Sequence, residues 1–202
     1  MQTQSHFLLT AAAITPLRSR GGRAFKLVAA ALLVGSILPD IPFFLLTIAG
    51  EVYYRWLAPP PAAPSIMEYL HFTLFYTHPL WIVSHNFFHS LLIDVALLLT
   101  GLWAWKRRDS RWGMALFWLA ASMLVHVTID IFTHRSDGPL IWFPLNWEYR
   151  FPSPISYWEA DYGGRTFAQF ELALNVVLVG YLLVAYWPAL QQRWRRIAGW
   201  RK

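Results

Sequence analysis

The chain has 202 residues, 56% of them hydrophobic, 17% aromatic and 14% charged, with a mean hydropathy of +0.36. Soluble domains carry about a quarter charged residues, so this composition argues against a cytosolic globule and for an integral membrane protein. The 17 Lys and Arg against 11 Asp and Glu give +6, read as membrane-flanking clusters rather than a nucleic-acid surface; with no cysteine, thiolate sites and disulfides are excluded and any metal site must use His and carboxylates.

In chain order, Met1 to Leu17 form an apolar segment with no basic region ahead of it, so no cleavable signal peptide is expected. A short half-span helix from Ser5 to Leu17 is expected instead, carrying His6. The stretches Phe25 to Ala49, Ile82 to Trp105, Trp112 to Phe132 and Phe167 to Pro188 are each long enough to cross a bilayer. The expected fold is therefore an all-α integral membrane protein of about four transmembrane helices plus that half-span, a single polytopic domain over residues 1–202. Lys and Arg gather before the first span, at Lys106, Arg107, Arg108 and Arg111, and at the C-terminal end. This places both termini in the cytoplasm and turns the loops 51–81 and 133–166 outward. These loops are rich in Trp, Tyr, Phe and Pro, a mixture suited to the headgroup layer and to a lipid-facing site.

None of the spans is purely apolar. The first breaks at Pro39 and Pro42 around Asp40, the second carries His85, His89 and Asp94, the third His126 and Asp130, and the fourth opens at Glu171. An ionisable group at a helix centre costs about 2.5 to 3.5 kcal/mol on insertion scales, so several together call for a common cause. At ~1.5 Å per residue, Asp40, His89 and His126 lie about 21, 25 and 22 Å from their cytoplasmic basic clusters, Glu171 about 33 Å and His6 about 18 Å. All reach the outer half of the membrane.

His85 and His89 are four apart, as are His126 and Asp130, so each pair shares a helix face and is able to present two ligands to one ion. His134 lies about 12 Å along the helix from His126, too far for the same ion on a straight helix; it serves a second metal, stands at a bent end, or acts on substrate. The expected ligands are His6, Asp40, His85, His89, His126, Asp130, His134 and Glu171, around zinc or another divalent metal, one or two ions. His71 and His78 read as packing groups, Asp94 as a pairing partner for a neighbouring helix or basic side chain, and Asp40 alone as either a helix cap or a ligand.

At these residues the sequence resembles the bacterial membrane-bound metal-dependent hydrolase family, itself distantly similar to zinc-dependent phospholipase C. The resemblance runs through Ser5-His6-Phe7-Leu8-Leu9, Leu38-Pro39-Asp40-Ile41, His85-Asn86-Phe87-Phe88-His89-Ser90-Leu91-Leu92, His126-Val127-Thr128-Ile129-Asp130, Pro139-Leu140-Ile141-Trp142-Phe143-Pro144 and Glu171. Two departures stand out: the family's Arg and Gly are missing between the two histidines, which lie four rather than five apart, and its second Asp after Leu-Pro-Asp-x is Pro42. Arg135, Arg150 and Arg165 are candidates to replace the lost anion contact.

The resemblance implies a hydrolase of the inner membrane. A zinc-like ion lowers the pKa of its water toward ~7, and Glu171 or Asp130 is placed to orient or deprotonate it. The expected substrate is a membrane lipid or lipid-linked phosphate. Two other classes stay open: a metal-ion or proton transporter, against which stand the almost purely apolar inner halves of the spans, and a noncatalytic scaffold held together by His and Asp hydrogen bonds.

Overall fold

The computed structural model describes residues 1–59 and 64–197, and among these all extended regular structure is helical apart from one isolated bridge between Leu140 and Arg150. Helix α1 (Thr3–Ile14) leads through a 3-10 turn (Thr15–Arg20) to α2 (Arg23–Gly35) and α3 (Ile41–Trp56). A continuous helical arm follows, made of α4 (Ile66–Glu68), a π-helical stretch (Tyr69–Leu74) and α5 (Phe75–Thr77). Then come α6 (Pro79–Asn86), α7 (Leu91–Arg108), α8 (Arg111–Thr133), and, after an irregular segment with one 3-10 turn at Ala160–Tyr162, the 34-residue α9 (Gly164–Ile197).

The four expected spans are not all continuous. Two helices are long and apolar enough to cross a membrane, Arg111–Thr133 and Gly164–Arg195; α6 and α7, bent by 45° at their junction, make a third if taken as one span. Phe25 to Ala49 is two helices, because Pro39 and Pro42 interrupt the hydrogen-bond ladder: α2 ends at Gly35, and Pro42 sits in the first turn of α3, where a missing N–H costs nothing. The apolar run and the prolines that break it are both visible in the sequence.

Helices α7 and α8 form a tight antiparallel hairpin. Asp109 takes a left-handed conformation (φ 47°) to end α7, and the Ser110 hydroxyl accepts the Gly113 N–H at 3.2 Å to start α8. Close approach is made possible by Gly113, where a Cβ would lie 2.5 Å from the Trp105 nitrogen, and by Gly35, where it would lie 2.3 Å from the Leu119 carbonyl oxygen of α8. Ser122 on α8 donates to the Leu32 carbonyl of α2 at 2.7 Å. Small residues and interhelical hydrogen bonds are the usual means of holding helices together where lipid removes the hydrophobic drive. A separate aromatic cluster of Leu70, Leu74 and Trp81, packed by Phe43, Leu46 and Tyr54, fixes the arm against α3 and α6.

Candidate metal centre

Four side chains from three places in the chain meet inside the bundle. Asp40 stands at the start of α3 but makes no capping hydrogen bond with it, so its carboxylate is free to face the bundle. His89 lies in the break between α6 and α7, one residue before Ser90, whose hydroxyl accepts the Ile93 N–H at 3.2 Å and starts α7. His126 and Asp130 share one face of α8, four residues apart, and both are buried.

Nε2 of His89 is 3.3 Å from Asp40 Oδ1 and 3.5 Å from Asp130 Oδ2; Nε2 of His126 is 3.5 Å and 3.1 Å from the same two oxygens. Each ring is oriented from behind, His89 Nδ1 donating to the His85 carbonyl at 2.7 Å and His126 Nδ1 to the Ser36 carbonyl at 2.8 Å. A carbonyl only accepts, so the proton of each neutral ring is on Nδ1 and the Nε2 lone pair points inward. Both Nε2 atoms are buried without a hydrogen-bond partner among the described residues, facing carboxylate oxygens. Lone pairs turned toward anions repel unless a cation stands between them.

A divalent ion fits that gap. Tetrahedral zinc bonds of about 2.0 to 2.2 Å require ligand atoms about 3.3 to 3.6 Å apart, and the four His-to-Asp separations lie between 3.1 and 3.5 Å. All four ligand atoms lie within 4.8 Å of one another, so Asp40, His89, His126 and Asp130 form a group able to hold a metal ion. Two carboxylates with two neutral imidazoles carry the charge that a divalent ion cancels.

The other expected site residues fall around this group. His6, brought in by α1 and 2% exposed, stacks on His126 at 3.8 Å between centroids and puts Nε2 2.9 Å from Asp130 Oδ1. The Met1 amino group contacts that same oxygen at 2.9 Å, so Asp130 turns Oδ2 to the four-residue group and Oδ1 to α1. His134 ends α8, its Nδ1 3.1 Å from the Asp130 carbonyl and its ring 4.4 Å from Tyr157, outside the group. His85 also stays outside, its ring stacked on that of His89 at 4.6 Å. Glu171 is buried on α9 and accepts the Gln2 N–H at 2.7 Å.

The arginines have other work. Arg135 donates to the Ser153 carbonyl at 2.9 Å and lies over the Tyr162 ring at 3.7 Å; Arg150 bonds the Gly138 carbonyl and lies over Phe75; Arg165 is exposed. His71 bonds the Met67 carbonyl and His78 caps α6, the local roles expected of them. Asp94 has no pairing partner: it is fully buried with neither carboxylate oxygen hydrogen-bonded among the described residues.

A cavity of about 730 Å³ opens beside the centre, its wall combining polar groups, among them Asp40, His85, His134, Asp137 and the N-terminal residues 1–4, with aromatic rings such as Phe43 and Tyr157. None of the three arginines lines it. Burial pushes the Asp137 carboxyl up to about 6, the Trp158 indole N–H at 3.1 Å offsetting this only in part. Thr3, absent from the sequence expectations, donates to Asp40 Oδ2 at 2.6 Å, and the Ser36 carbonyl orients His126. A hydroxyl at the third position and a backbone carbonyl carry no signal in one sequence.

The YdjM inner membrane protein family model matches residues 1–194. The chain belongs to this family. With its apolar helices, membership places the protein in a bacterial inner membrane; the family description names no activity. No curated protein and no solved structure matches the chain.

Proposed function

We propose that this YdjM family member is a membrane-embedded, metal-dependent hydrolase acting on an amphiphile at the outer face of the membrane, with a phosphoester or lipid-linked phosphate as its substrate class. The observation that carries this reading is the meeting of Asp40, His89, His126 and Asp130, with two buried Nε2 lone pairs directed at two carboxylates. When bound, a zinc-like ion supplies Lewis acidity and lowers the pKa of water in its sphere to about 7. The rest is the work of the chain. His6 and Thr3 hold the outer oxygens of Asp130 and Asp40, fixing each carboxylate's direction. Asp40 is the member of the group that also lines the cavity, so a substrate head arrives on its side. The aromatic walls receive apolar chain and exclude water from the head.

A second reading has an observation of its own. Four protein ligands close a tetrahedral sphere, the mark of a structural zinc, whereas catalytic zinc keeps a position open or expands to five. The two readings part on substrate. Protein purified without chelator is expected to carry about one divalent ion per chain and to release product from one or more members of a panel of phosphate-bearing lipids. Asp130→Asn is expected to lose the metal and to lower turnover by more than the about 100-fold typical of an outer-shell change. Metal without turnover of any lipid supports the structural reading, and full metal occupancy in Asp130→Asn removes the centre altogether.

A further inference from the structure

We infer that His85 binds the substrate rather than the metal: its imidazole donates a hydrogen bond to an anionic oxygen of the ligand that enters the cavity. This rests on the hydrolase reading and deepens it. The starting point is a displacement from expectation. Spacing pairs His85 with His89 on one face, yet the helix breaks between them, since α6 ends at Asn86 and α7 begins at Leu91. His89 turns into the ligand group, while the His85 ring stays on the wall of the cavity, stacked on His89 and set against Phe43 at 5.4 Å and Phe75 at 4.8 Å. Its carbonyl is used, as acceptor for His89 Nδ1, but its ring Nε2 is enclosed without a hydrogen-bond partner among the described residues. An enclosed polar atom left unpaired is costly unless something arrives to pair it.

The polar groups of the wall say what arrives. Asp40 and Asp137 only accept when ionised, and the arginines that would meet an anion lie elsewhere. His134 has its Nδ1 between the Asp130 carbonyl at 3.1 Å and the Met1 amino group at 3.3 Å. Of the imidazoles lining the cavity, His85 is the one with a buried ring nitrogen left without a partner among the described residues, and its stacking on His89 puts it beside the metal group. An oxyanion reaching the centre from the cavity passes under this imidazole, whose neutral form always carries one N–H.

The test uses the full-length protein in detergent, loaded with Co²⁺, with inorganic phosphate as the probe and the visible cobalt spectrum as the readout. Wild type is expected to bind one Co²⁺ and to change its spectrum saturably with phosphate. His85→Phe keeps the aromatic stack and removes the donor; it is expected to keep cobalt stoichiometry and the phosphate-free spectrum, with phosphate affinity lowered about tenfold or more, the worth of a hydrogen bond to a charged group. His85→Gln, which restores an N–H, is expected to recover most of that loss. If His85→Phe fails to insert, His85→Met fills the space without a donor and carries the same expectation. Loss of cobalt, or an altered phosphate-free spectrum, in the donorless variant makes His85 a ligand and overturns the inference, as does unchanged phosphate affinity. A wild type that binds no cobalt defeats the metal centre itself; one that binds cobalt but ignores phosphate leaves a closed, structural ion and overturns the role of His85.

Discussion

The bundle of α2, α7 and α8 and the pair of α1 with α9 both carry polar residues in apolar helices, and they use them differently. In the bundle, glycines bring backbones into contact, Ser122 bonds across to Leu32, and side chains such as Ala120, Met123 and Val127 are fully enclosed. Helix α9 leaves its apolar surface open, with Leu172 66% and Val184 76% exposed, as befits a helix facing lipid. Its two inward polar groups, Glu171 and Asn175, are spent on α1, accepting the Gln2 N–H at 2.7 Å and donating to the Ser5 hydroxyl at 2.9 Å. A polar group in an apolar helix does not by that alone belong to the site. Close packing brings it there, because it leaves polar groups no partners but one another.

The largest effect expected from this contrast is at the glycines. Gly113→Val places a Cβ 2.5 Å from the Trp105 nitrogen and 2.8 Å from the Ala104 carbonyl carbon, backbone atoms that move only if α7 and α8 separate. The cost is expected to reach or exceed the about 1 to 3 kcal/mol of ordinary overpacking, and bound metal is expected to fall with the midpoint of thermal unfolding in detergent. Gly180→Val on α9 meets nothing within 4 Å and is expected to change neither. Equal loss in the two variants would mean that the bundle is not the rigid part.

A smaller effect is expected where the two regions touch. His6 belongs to α1 yet holds Asp130 Oδ1 at 2.9 Å and stacks on His126. His6→Ala is expected to weaken metal binding about 10 to 100-fold, the usual cost of losing an orienting partner, measured by competition with a chelator of known affinity. Complete loss of metal would make His6 a ligand, and unchanged affinity would detach α1 from the centre.

This contrast also explains what was legible beforehand. Membrane character, an all-helical fold and, among the expected site residues, the four that come together as a possible metal-binding group, Asp40, His89, His126 and Asp130, could be read because charge, apolar length and i,i+4 spacing are properties of the sequence itself. Of the four expected spans the described residues support two, or three with the bent α6–α7 pair, and Phe25 to Ala49, already broken at Pro39 and Pro42 in the sequence, is two helices. His85 was grouped with His89 because the spacing assumed a helix that breaks at Asn86. The partners of Arg135 and Arg150 are backbone carbonyls, and that of Glu171 is a backbone N–H, groups every residue has and no sequence distinguishes.

The smallest expected effect is at Glu171, the expected site residue whose depth along its helix, about 33 Å against about 21 to 25 Å for Asp40, His89 and His126, fits the group least. Glu171 was expected to act as ligand or general base, and either role needs the carboxylate. In the structure one oxygen accepts the Gln2 N–H, and an amide oxygen does this as well. Glu171→Gln is therefore expected to keep full metal and to lose activity far less than the about 10² to 10⁴-fold of a lost general base. Exchanging a charge for an amide is also favourable in a lipid-facing helix. Glu171→Leu removes the acceptor as well, leaving the Gln2 N–H unpaired at about 1 to 3 kcal/mol, and the first turn of α1, with its contacts to Asp40 and Asp130, is expected to loosen. Metal affinity should then follow the order wild type, Gln, Leu, with the break between Gln and Leu. A break between wild type and Gln would give Glu171 a charged role at the centre and join α9 to the candidate metal group.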